Sequence, residues 1–299
     1  ETKQDQTLWG ARSFGYSGWY LVRREAGAWG MTPQPAWWLG GYGIGLTDIS
    51  PLSCLSGNGV AVLAYDIWGD IAWLTVLDEE EWTIIREFDL DVDGKPYFVS
   101  GTSKEEIVVF SFPSPPGGMY LNGGNEEPLV LPDYGVLGTS ENGHGVRGLA
   151  GDEEHGYFAV GYWKKSADVE ESGFVWRSDD LHTWEEMGDV PHMDSTIYSE
   201  HFIDVCIADN GTVYVVGNRG DVPSTPDGEN QPLVLRYDGL EWIDEAIPPA
   251  PGAEQPGWEK LGELDGVWCH GGHVYAVGTI SPKGIVEPGV LHYAPPEDL

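Results

Sequence analysis

An all-β fold built from repeated four-stranded units is predicted by three features of the sequence. The composition combines 42 Gly and 21 Pro with 14 Trp and 14 Tyr in 299 residues, which favours turns and short aromatic strands over helices. No stretch has the sustained periodicity of an amphipathic helix. Residues 202–242 read as one unit of four strands, and the rest of the chain contains imperfect copies of this unit. Repetition of this kind predicts a modular β fold.

The template unit, residues 202–242, contains four short β segments and two clear turn signals. Its strands are expected at 202–208, 212–217, 232–237 and around Trp242. Asp209-Asn210-Gly211 and Asp238-Gly239 supply residues that tolerate the backbone conformations of tight turns. A sheet of four short strands cannot bury both of its faces alone, so each unit must stack on neighbours of its own kind.

The repeats can be followed along the chain by a glycine on the second strand and a tryptophan on the fourth. Gly10 and Trp29 align with Gly217 and Trp242, so the first repeat lacks only its opening strand, and the last ends before its closing strand. The repeats are predicted at 7–32, 46–85, 87–133, 142–190, 199–248 and 261–294. Four-stranded units of about 40 to 60 residues are typical of propeller blades. The sequence therefore predicts a single-domain β-propeller over residues 1–299 with six blades, or seven if the N-terminus has been cut back.

The charge balance restricts the expected partners. The chain has 49 Asp and Glu against 15 Lys and Arg, a net charge of -34. Such a field repels phosphate backbones and anionic lipids, which argues against nucleic acid and acidic membranes and favours solubility, cations or a basic protein partner. The alternative is a solvated acidic surface suited to saline surroundings. No apolar run approaches the ~20 residues of a membrane-spanning helix. The polar N-terminal segment without an initiator Met predicts a processed, extracytoplasmic protein, and a monomer is expected.

The three cysteines are predicted to be buried free thiols. Cys54, Cys206 and Cys269 each fall on the first strand of a repeat. Equivalent positions in different repeats are not expected to be adjacent, and three cysteines cannot all pair with one another. The cysteines by themselves therefore leave the redox compartment open.

Two repeat motifs resemble those of exported bacterial β-propellers. GVWCHGGHVYAVG followed by VLHYAPP, and DVCIADNGTVYVVG followed by VLRYDGLEW, are similar to blades that read roughly VW, VYAVG, LHYDG and W. In addition, RSDDLHTW resembles the Asp-box hairpin of sialidase-like propellers, although it is one residue short and has His182 where glycine is usual. The resemblance implies the architecture and export, but no activity. It also implies a structural role for the residues of this hairpin, namely Ser178, Asp180, Thr183 and Trp184.

Two segments have the spacing of metal ligands. Asp89, Asp91 and Asp93 precede Gly94 as in the first half of a calcium loop, which makes Ca²⁺ a candidate cofactor, but Ser100 stands where the bidentate carboxylate is required. The alternative is that Asp93-Gly94 is the first hairpin turn of the third repeat. Cys269-His270-Gly271-Gly272-His273 carries soft ligands. It also lies where a hairpin turn is expected, and strand alternation would place Cys269 and His270 on opposite faces.

Residues at the start of the first strands form the principal candidate site. In a propeller these strands line the central channel, so their leading residues are expected to converge on one mouth of it. The residues so placed are Asp48, Glu87, His144, His201, Asp204 and Asp265. Carboxylates and imidazoles brought together there could hold a divalent cation or act as general acid and base. The alternative is a hydrated polar tunnel without a ligand.

Aromatic residues outside the repeated tryptophan position form a second candidate site. Trp37, Trp38, Tyr42 and Trp163 are the candidate ligand-binding residues, and Trp68 and Trp258 share their character. Planar rings beside carboxylates suit sugar faces or cationic ligands. Packing beneath long loops is the alternative explanation.

The sequence favours a non-enzymatic ligand-binding or protein-interaction module over an enzyme. It contains no evident nucleophile and base pair, phosphate-binding loop or complete metal motif. Carbohydrate and a basic protein are the expected partners. The competing function is a metal- or carboxylate-dependent hydrolase acting on a glycoside or an ester at the channel mouth.

Overall fold

The computed structural model describes fifteen segments of the chain, and every statement below concerns these residues. They are 8–13, 19–25, 28–31, 53–54, 60–65, 71–78, 81–91, 95–112, 117–132, 145–164, 171–192, 198–221, 231–247, 261–280 and 287–293. The regular elements in these segments are β-strands, which confirms the predicted all-β class. No helix long and apolar enough to cross a membrane occurs within them.

The first compact unit, residues 1–129, holds three antiparallel sheets. Sheet 1 comprises β1 (Leu8–Ser13), β2 (Trp19–Glu25) and β3 (Ala28–Met31). Sheet 2 comprises β4 (Ser53–Cys54), β5 (Val60–Tyr65), β6 (Ile71–Asp78) and β7 (Glu81–Asp89). Sheet 3 comprises β8 (Lys95–Ser103), β9 (Glu106–Phe112), β10 (Gly117–Asn122) and β11 (Asn125–Pro128). In each sheet the strands are adjacent in chain order, as hairpin connections require.

The second compact unit, residues 130–299, holds the other three sheets. Sheet 4 comprises β12 (Gly145–Asp152), β13 (Gly156–Lys164), β14 (Glu171–Ser178) and β15 (Glu185–Glu186). Sheet 5 comprises β16 (Tyr198–Ile207), β17 (Val213–Asp221), β18 (Gln231–Tyr237) and β19 (Trp242–Asp244). Sheet 6 comprises β20 (Leu261–His270), β21 (His273–Ile280) and β22 (Glu287–Tyr293).

Each unit is held together by apolar side chains that project from consecutive sheets. In the first unit one core joins sheets 2 and 3, with Leu63, Leu74 and Phe88 opposite Val99 and Ile107. Inward side chains alternate with outward ones along each strand, and fully burying one of them contributes about 1.5 to 3 kcal/mol.

In the second unit, Phe158, Val175, Phe202, Val215 and Leu235 belong to the core of sheets 4 and 5. The closing tryptophan of the template unit, Trp242, is part of the same core. Smaller clusters continue the packing from sheet 5 to sheet 6.

The glycine that repeats on the second strand is required by a bulge in the first strand. In sheets 4, 5 and 6 the register between first and second strands shifts by one residue directly beside Gly161, Gly217 and Gly278 respectively. A Cβ atom on Gly217 would lie 1.9 Å from the carbonyl oxygen of His201. The backbones therefore approach too closely for any side chain, which explains why this residue marks every blade of the second unit.

The boundary between the second and third repeats differs from the sequence prediction. Strand β7 pairs with β6 up to Asp89, which lies opposite Ile71. The pairing continues on both sides of a bulge at Ile85. Phe88, expected on the first strand of the third repeat, is therefore a core residue of the last strand of sheet 2. The strands before and after Asp93-Gly94, β7 and β8, belong to different sheets and do not form a hairpin.

The prediction of three free thiols was wrong. Cys206 on β16 and Cys269 on β20 form a disulfide, with their Cα atoms 5.6 Å apart. Consecutive sheets stack with their first strands side by side, so equivalent positions in neighbouring repeats can be adjacent after all. The side chain of Cys54 lies outside the described part of the structure.

Candidate functional site

The Tyr162 cluster, defined as Arg147, Tyr162, Glu171 and His201, is the candidate site. His201 lies on β16, and its ring stacks on the ring of Tyr162 on β13 with centroids 4.1 Å apart and planes 24° apart. Its Nε2 lies 2.5 Å from Oε2 of Glu171, at the start of β14. The cluster therefore bridges sheets 4 and 5.

Arg147 completes the cluster from β12. Its Nη2 donates a hydrogen bond of 2.7 Å to the Tyr162 hydroxyl, and its guanidinium carbon lies 5.0 Å from the centre of the same ring. Arg147 is the extra residue of the β12 bulge, because Val146 pairs with Gly161 and Gly148 with Val160. A cation this close to an aromatic ring is stabilised by about 0.5 to 1 kcal/mol at exposed sites.

Both strands that flank β13 carry a glycine opposite Tyr162. The residues paired with Tyr162 on its two neighbouring strands are Gly145 and Gly173, neither of which has a side chain. The Glu171 and His201 side chains remain 25% and 33% exposed, so a ligand can reach both of them. The cluster thus presents guanidinium donors, a carboxylate acceptor and an imidazole beside a stacked aromatic pair.

Asp204 was predicted, with His201, to lie at the mouth of the central channel, and its side chain forms hydrogen bonds to backbone groups of two first strands. Its Oδ1 accepts the backbone N–H of Val205, and its Oδ2 accepts the backbone N–H of Val267 on β20. Burial raises the pKa of this carboxyl to about 6, although the two hydrogen bonds favour the charged form. A Cβ on Gly148 would lie 2.7 Å from the Asp204 Cα, so the first strands of all three sheets pack around it.

Two of the four remaining channel candidates, Asp265 and Glu87, lie in the described part of the structure. Asp265 is exposed in the bulge of β20, where partial desolvation and then the negative charge of Glu263 raise its pKa. Asp48 and His144 lie outside the described residues. The placement of Glu87 on a first strand was wrong, because it lies on β7, the last strand of sheet 2. There its Oε2 accepts a 3.0 Å hydrogen bond from Trp73 Nε1.

The calcium-loop residues form an ordinary turn as far as they are described. Asp89 ends β7, and its Oδ1 accepts the backbone N–H of Asp91 at 3.1 Å. Asp93 lies outside the described residues, so the calcium prediction stays a prediction. Within the fifteen described segments, no group of three or more His, Cys, Asp or Glu side chains is placed to hold a metal ion.

The predicted opposition of Cys269 and His270 is confirmed. Cys269 faces sheet 5 through its disulfide, whereas the His270 ring stacks on Trp268 with centroids 5.3 Å apart. Among the aromatic candidates, Trp163 is half-buried on β13, directly after Tyr162. Trp37, Trp38 and Tyr42 fall outside the described residues, as do Trp68 and Trp258.

Asp180 caps its own turn, as predicted for the hairpin 177–184. Its Oδ1 accepts the backbone N–H groups of His182 and Thr183 at 2.9 and 2.7 Å and the Ser178 hydroxyl at 3.0 Å. These bonds lower the pKa of the carboxyl, although partial burial opposes them. Trp184 is buried and donates its indole N–H to the Leu181 carbonyl at 2.9 Å. All of these contacts stabilise the hairpin itself.

Three members of the Tyr162 cluster were not identified from the sequence. Arg147 and Glu171 occupy no position that repeats. Tyr162 directly follows the repeated glycine, where the neighbouring units have Asn218 and Thr279. This departure from small polar residues at an aligned position is the sequence signal that could have identified it.

Comparison with known proteins establishes the fold and leaves the family undefined. No protein-family model matches the chain, and no curated protein matches it. Among solved structures, the polysaccharide lyase Uly1 superposes with a TM-score of 0.54 at 12% identity, over 99% of this chain and 81% of that one. The six-bladed β-propeller lectin of Aleuria aurantia superposes with a TM-score of 0.52 at 12% identity, over 98% of this chain and 92% of that one.

The fold is a six-bladed β-propeller. The six antiparallel sheets are its blades, which confirms the predicted fold class. Identities this low carry no information about activity, since propellers with unrelated functions share this architecture.

Proposed function

We propose that this propeller is a non-enzymatic binding module that recognises a neutral carbohydrate at the Tyr162 cluster. The observation that carries the proposal is the stacked pair of Tyr162 and His201, flanked by the Arg147 guanidinium and the Glu171 carboxylate. A sugar hydroxyl both donates and accepts hydrogen bonds, so it matches a site with a donor on one side and an acceptor on the other. The aromatic rings suit the apolar faces of a sugar ring.

Charge favours a neutral ligand over an acidic one. The net charge of -34 repels carboxylated or sulfated chains over the whole surface, whereas a neutral glycan escapes this repulsion. The Aleuria aurantia lectin, which has a fucose recognition mode, shares the fold. That likeness supports the proposal only by showing that a propeller of this size can carry a sugar site. A basic protein remains the second class of partner that the acidic surface would attract.

An enzyme is the second candidate, and the pair formed by His201 and Glu171 favours it. A carboxylate 2.5 Å from an imidazole nitrogen fixes the ring and supports proton transfer by its other nitrogen. Such a pair could serve a glycoside or ester hydrolase. Binding is preferred because the His201 ring is stacked on Tyr162, which restricts its approach to a substrate bond.

An extracytoplasmic location is part of the proposal. The disulfide between Cys206 and Cys269 supports it, because disulfides persist in oxidising compartments and are rare in the cytosol. The repeat motifs support it independently, because they resemble those of exported bacterial propellers. Alkylation of the protein directly on extraction from its native cells would detect the bridge, because bridged cysteines are not labelled.

The test is a screen of neutral glycans followed by calorimetric titration of the best one. Tyr162→Ala should weaken binding at least tenfold, because it removes the ring on which His201 stacks and the hydroxyl that Arg147 holds. Arg177→Ala is the matched control, since Arg177 also lies over an aromatic ring, Phe158, on the same sheet. Binding that survives Tyr162→Ala unchanged would overturn the proposal. Cleavage of the glycan that is lost in His201→Ala would establish the enzyme instead.

A further inference from the structure

The last strand of sheet 2 is long for the outer strand of a blade. β7 has 9 residues, whereas the fourth strands of sheets 3, 4 and 5 have 4, 2 and 3. One side of β7 pairs with β6, and no other strand in the described part of the chain pairs with its second side. The outer edge of a fourth strand lies on the circumference of a propeller, so a further strand can approach it there.

The middle of β7 exposes apolar side chains. The exposed fractions of Ile84 and Ile85 are 47% and 36%, and Thr83 before them is exposed as well. Ile85 is the residue of the bulge and has no register partner on β6, and regular pairing continues over 81–84 and 86–89. Proteins protect the open edges of sheets with short strands, charged residues, proline or bulges, and the apolar middle of β7 has only the bulge.

The corresponding strands of the neighbouring sheets are protected in other ways. β11 reads NEEP, so its exposed residues include two glutamates and a proline. β15 consists of two exposed glutamates. β19 is three residues long, and its first residue, Trp242, belongs to the core. Among the fourth strands of sheets 2 to 5, β7 alone combines length with an exposed apolar middle.

Charge decides which kind of strand fits this edge. Glu81, Glu87 and Asp89 are exposed along β7, and its one basic residue, Arg86, lies 3.3 Å from Glu126 on β11. Side chains on adjacent strands stand opposite one another, so unlike charges stabilise the pairing and like charges oppose it. A second copy of the chain would bring the same carboxylates and a further net charge of -34 to the edge. A strand with basic residues between apolar ones fits better.

We propose that β7 binds an extended, basic segment of a partner protein as a fifth strand of sheet 2. Backbone hydrogen bonds to the middle of β7 supply the attachment, as in other cases of strand addition to a sheet edge. Apolar side chains of the segment cover Ile84 and Ile85, and its lysines or arginines face the carboxylates of β7. The surface belongs to the first compact unit and does not depend on the Tyr162 cluster.

The test uses the purified full chain and a labelled synthetic peptide of alternating Lys and Val, with binding followed by fluorescence anisotropy. The control peptide has the same side chains, but all its backbone amides are N-methylated, so it cannot donate hydrogen bonds to a neighbouring strand. At about 0.15 M salt, which screens attraction between distant exposed charges, the control should bind at least tenfold more weakly.

Two variants locate the binding on β7. Ile84→Lys should weaken binding of the Lys-Val peptide at least tenfold, because it places a positive charge in the middle of the edge. Leu240→Lys is the matched control, since Leu240 is 92% exposed on the turn before β19 and the charge change is the same. It should bind the peptide as tightly as the wild type. Thermal melting should show that both variants keep the fold.

Four results would overturn strand addition by a basic partner. The Lys-Val peptide could fail to bind, or the N-methylated peptide could bind equally well, which would indicate attraction without strand pairing. Ile84→Lys could bind the peptide as tightly as Leu240→Lys does. Finally, sedimentation could show a dimer of the wild type that Ile84→Lys dissociates, and the occupant of β7 would then be a second copy of the chain.

Discussion

Removing the disulfide between Cys206 and Cys269 should lower stability by a predictable amount. The bridge joins residues 63 apart in sequence and so restricts the unfolded chain. A closed loop of this length corresponds to about 4 kcal/mol in the chain-entropy treatment of cross-links. The native structure should change little, because the Asp204 carboxylate accepts the Val267 N–H and links the same two strands. The loss should therefore be one of unfolding free energy rather than of fold.

The measurement is urea unfolding of the wild type and of the double variant Cys206→Ala/Cys269→Ala, with and without reductant. Reductant should destabilise the wild type by about 4 kcal/mol and leave the double variant unchanged. Cys54→Ala is the control, because it removes the third cysteine and should respond to reductant as the wild type does. Alkylation of the denatured, unreduced protein should label one thiol of the 3 cysteines.

Two outcomes would refute this reasoning. Labelling of every cysteine in unreduced protein would show that the bridge does not form. If the unfolding free energy of the double variant is less than about 1 kcal/mol below that of the oxidised wild type, the cross-link does not restrict the unfolded chain as the entropy argument requires.

Three further changes probe the scaffold. Since the folded pKa of Asp204 is raised to about 6, its contribution to stability should fall by about 3 kcal/mol in total as pH rises from below the unfolded pKa to above the folded one. Asp204→Asn should remove this part of the pH dependence of the urea midpoint. If the midpoints of the wild type and the variant changed in parallel with pH, this prediction would be contradicted. Gly217→Ala should cost about 1 to 3 kcal/mol, measured by urea unfolding, because its Cβ would meet the His201 carbonyl oxygen. Asp180→Ala should cost about 1 to 3 kcal/mol through lost turn hydrogen bonds, whereas the exposed neighbour Asp179 should tolerate the same change in a thermal melt.

Acid and base chemistry at the Tyr162 cluster would distinguish the two functional candidates. A binding site needs His201 and Glu171 as a fixed donor and acceptor, so Glu171→Gln should weaken glycan binding moderately and leave the glycan intact. A hydrolase would lose turnover through the same change far more than it would lose affinity. Measuring affinity and cleavage on one variant therefore separates the two roles.

The sequence alone determined the all-β class and the antiparallel order of strands within a blade. Alternating apolar residues and turn signals are local properties, so they can be identified from neighbouring residues. The repeated glycine could also be identified from the sequence, but the physical reason why glycine is required there could not. That reason is the close approach of the His201 carbonyl to Gly217, which depends on a bulge in the opposite strand.

Only the tertiary structure decided which side chains meet between blades. Whether Cys206 reaches Cys269, and whether His201 lies on Tyr162, depends on how one sheet stacks on the next. The extension of β7 to Asp89 is decided in the same way, because Phe88 is held by a core shared with sheet 3. Periodicity within a repeat specifies which face a residue occupies, but it contains no information about its neighbour across the gap between two sheets.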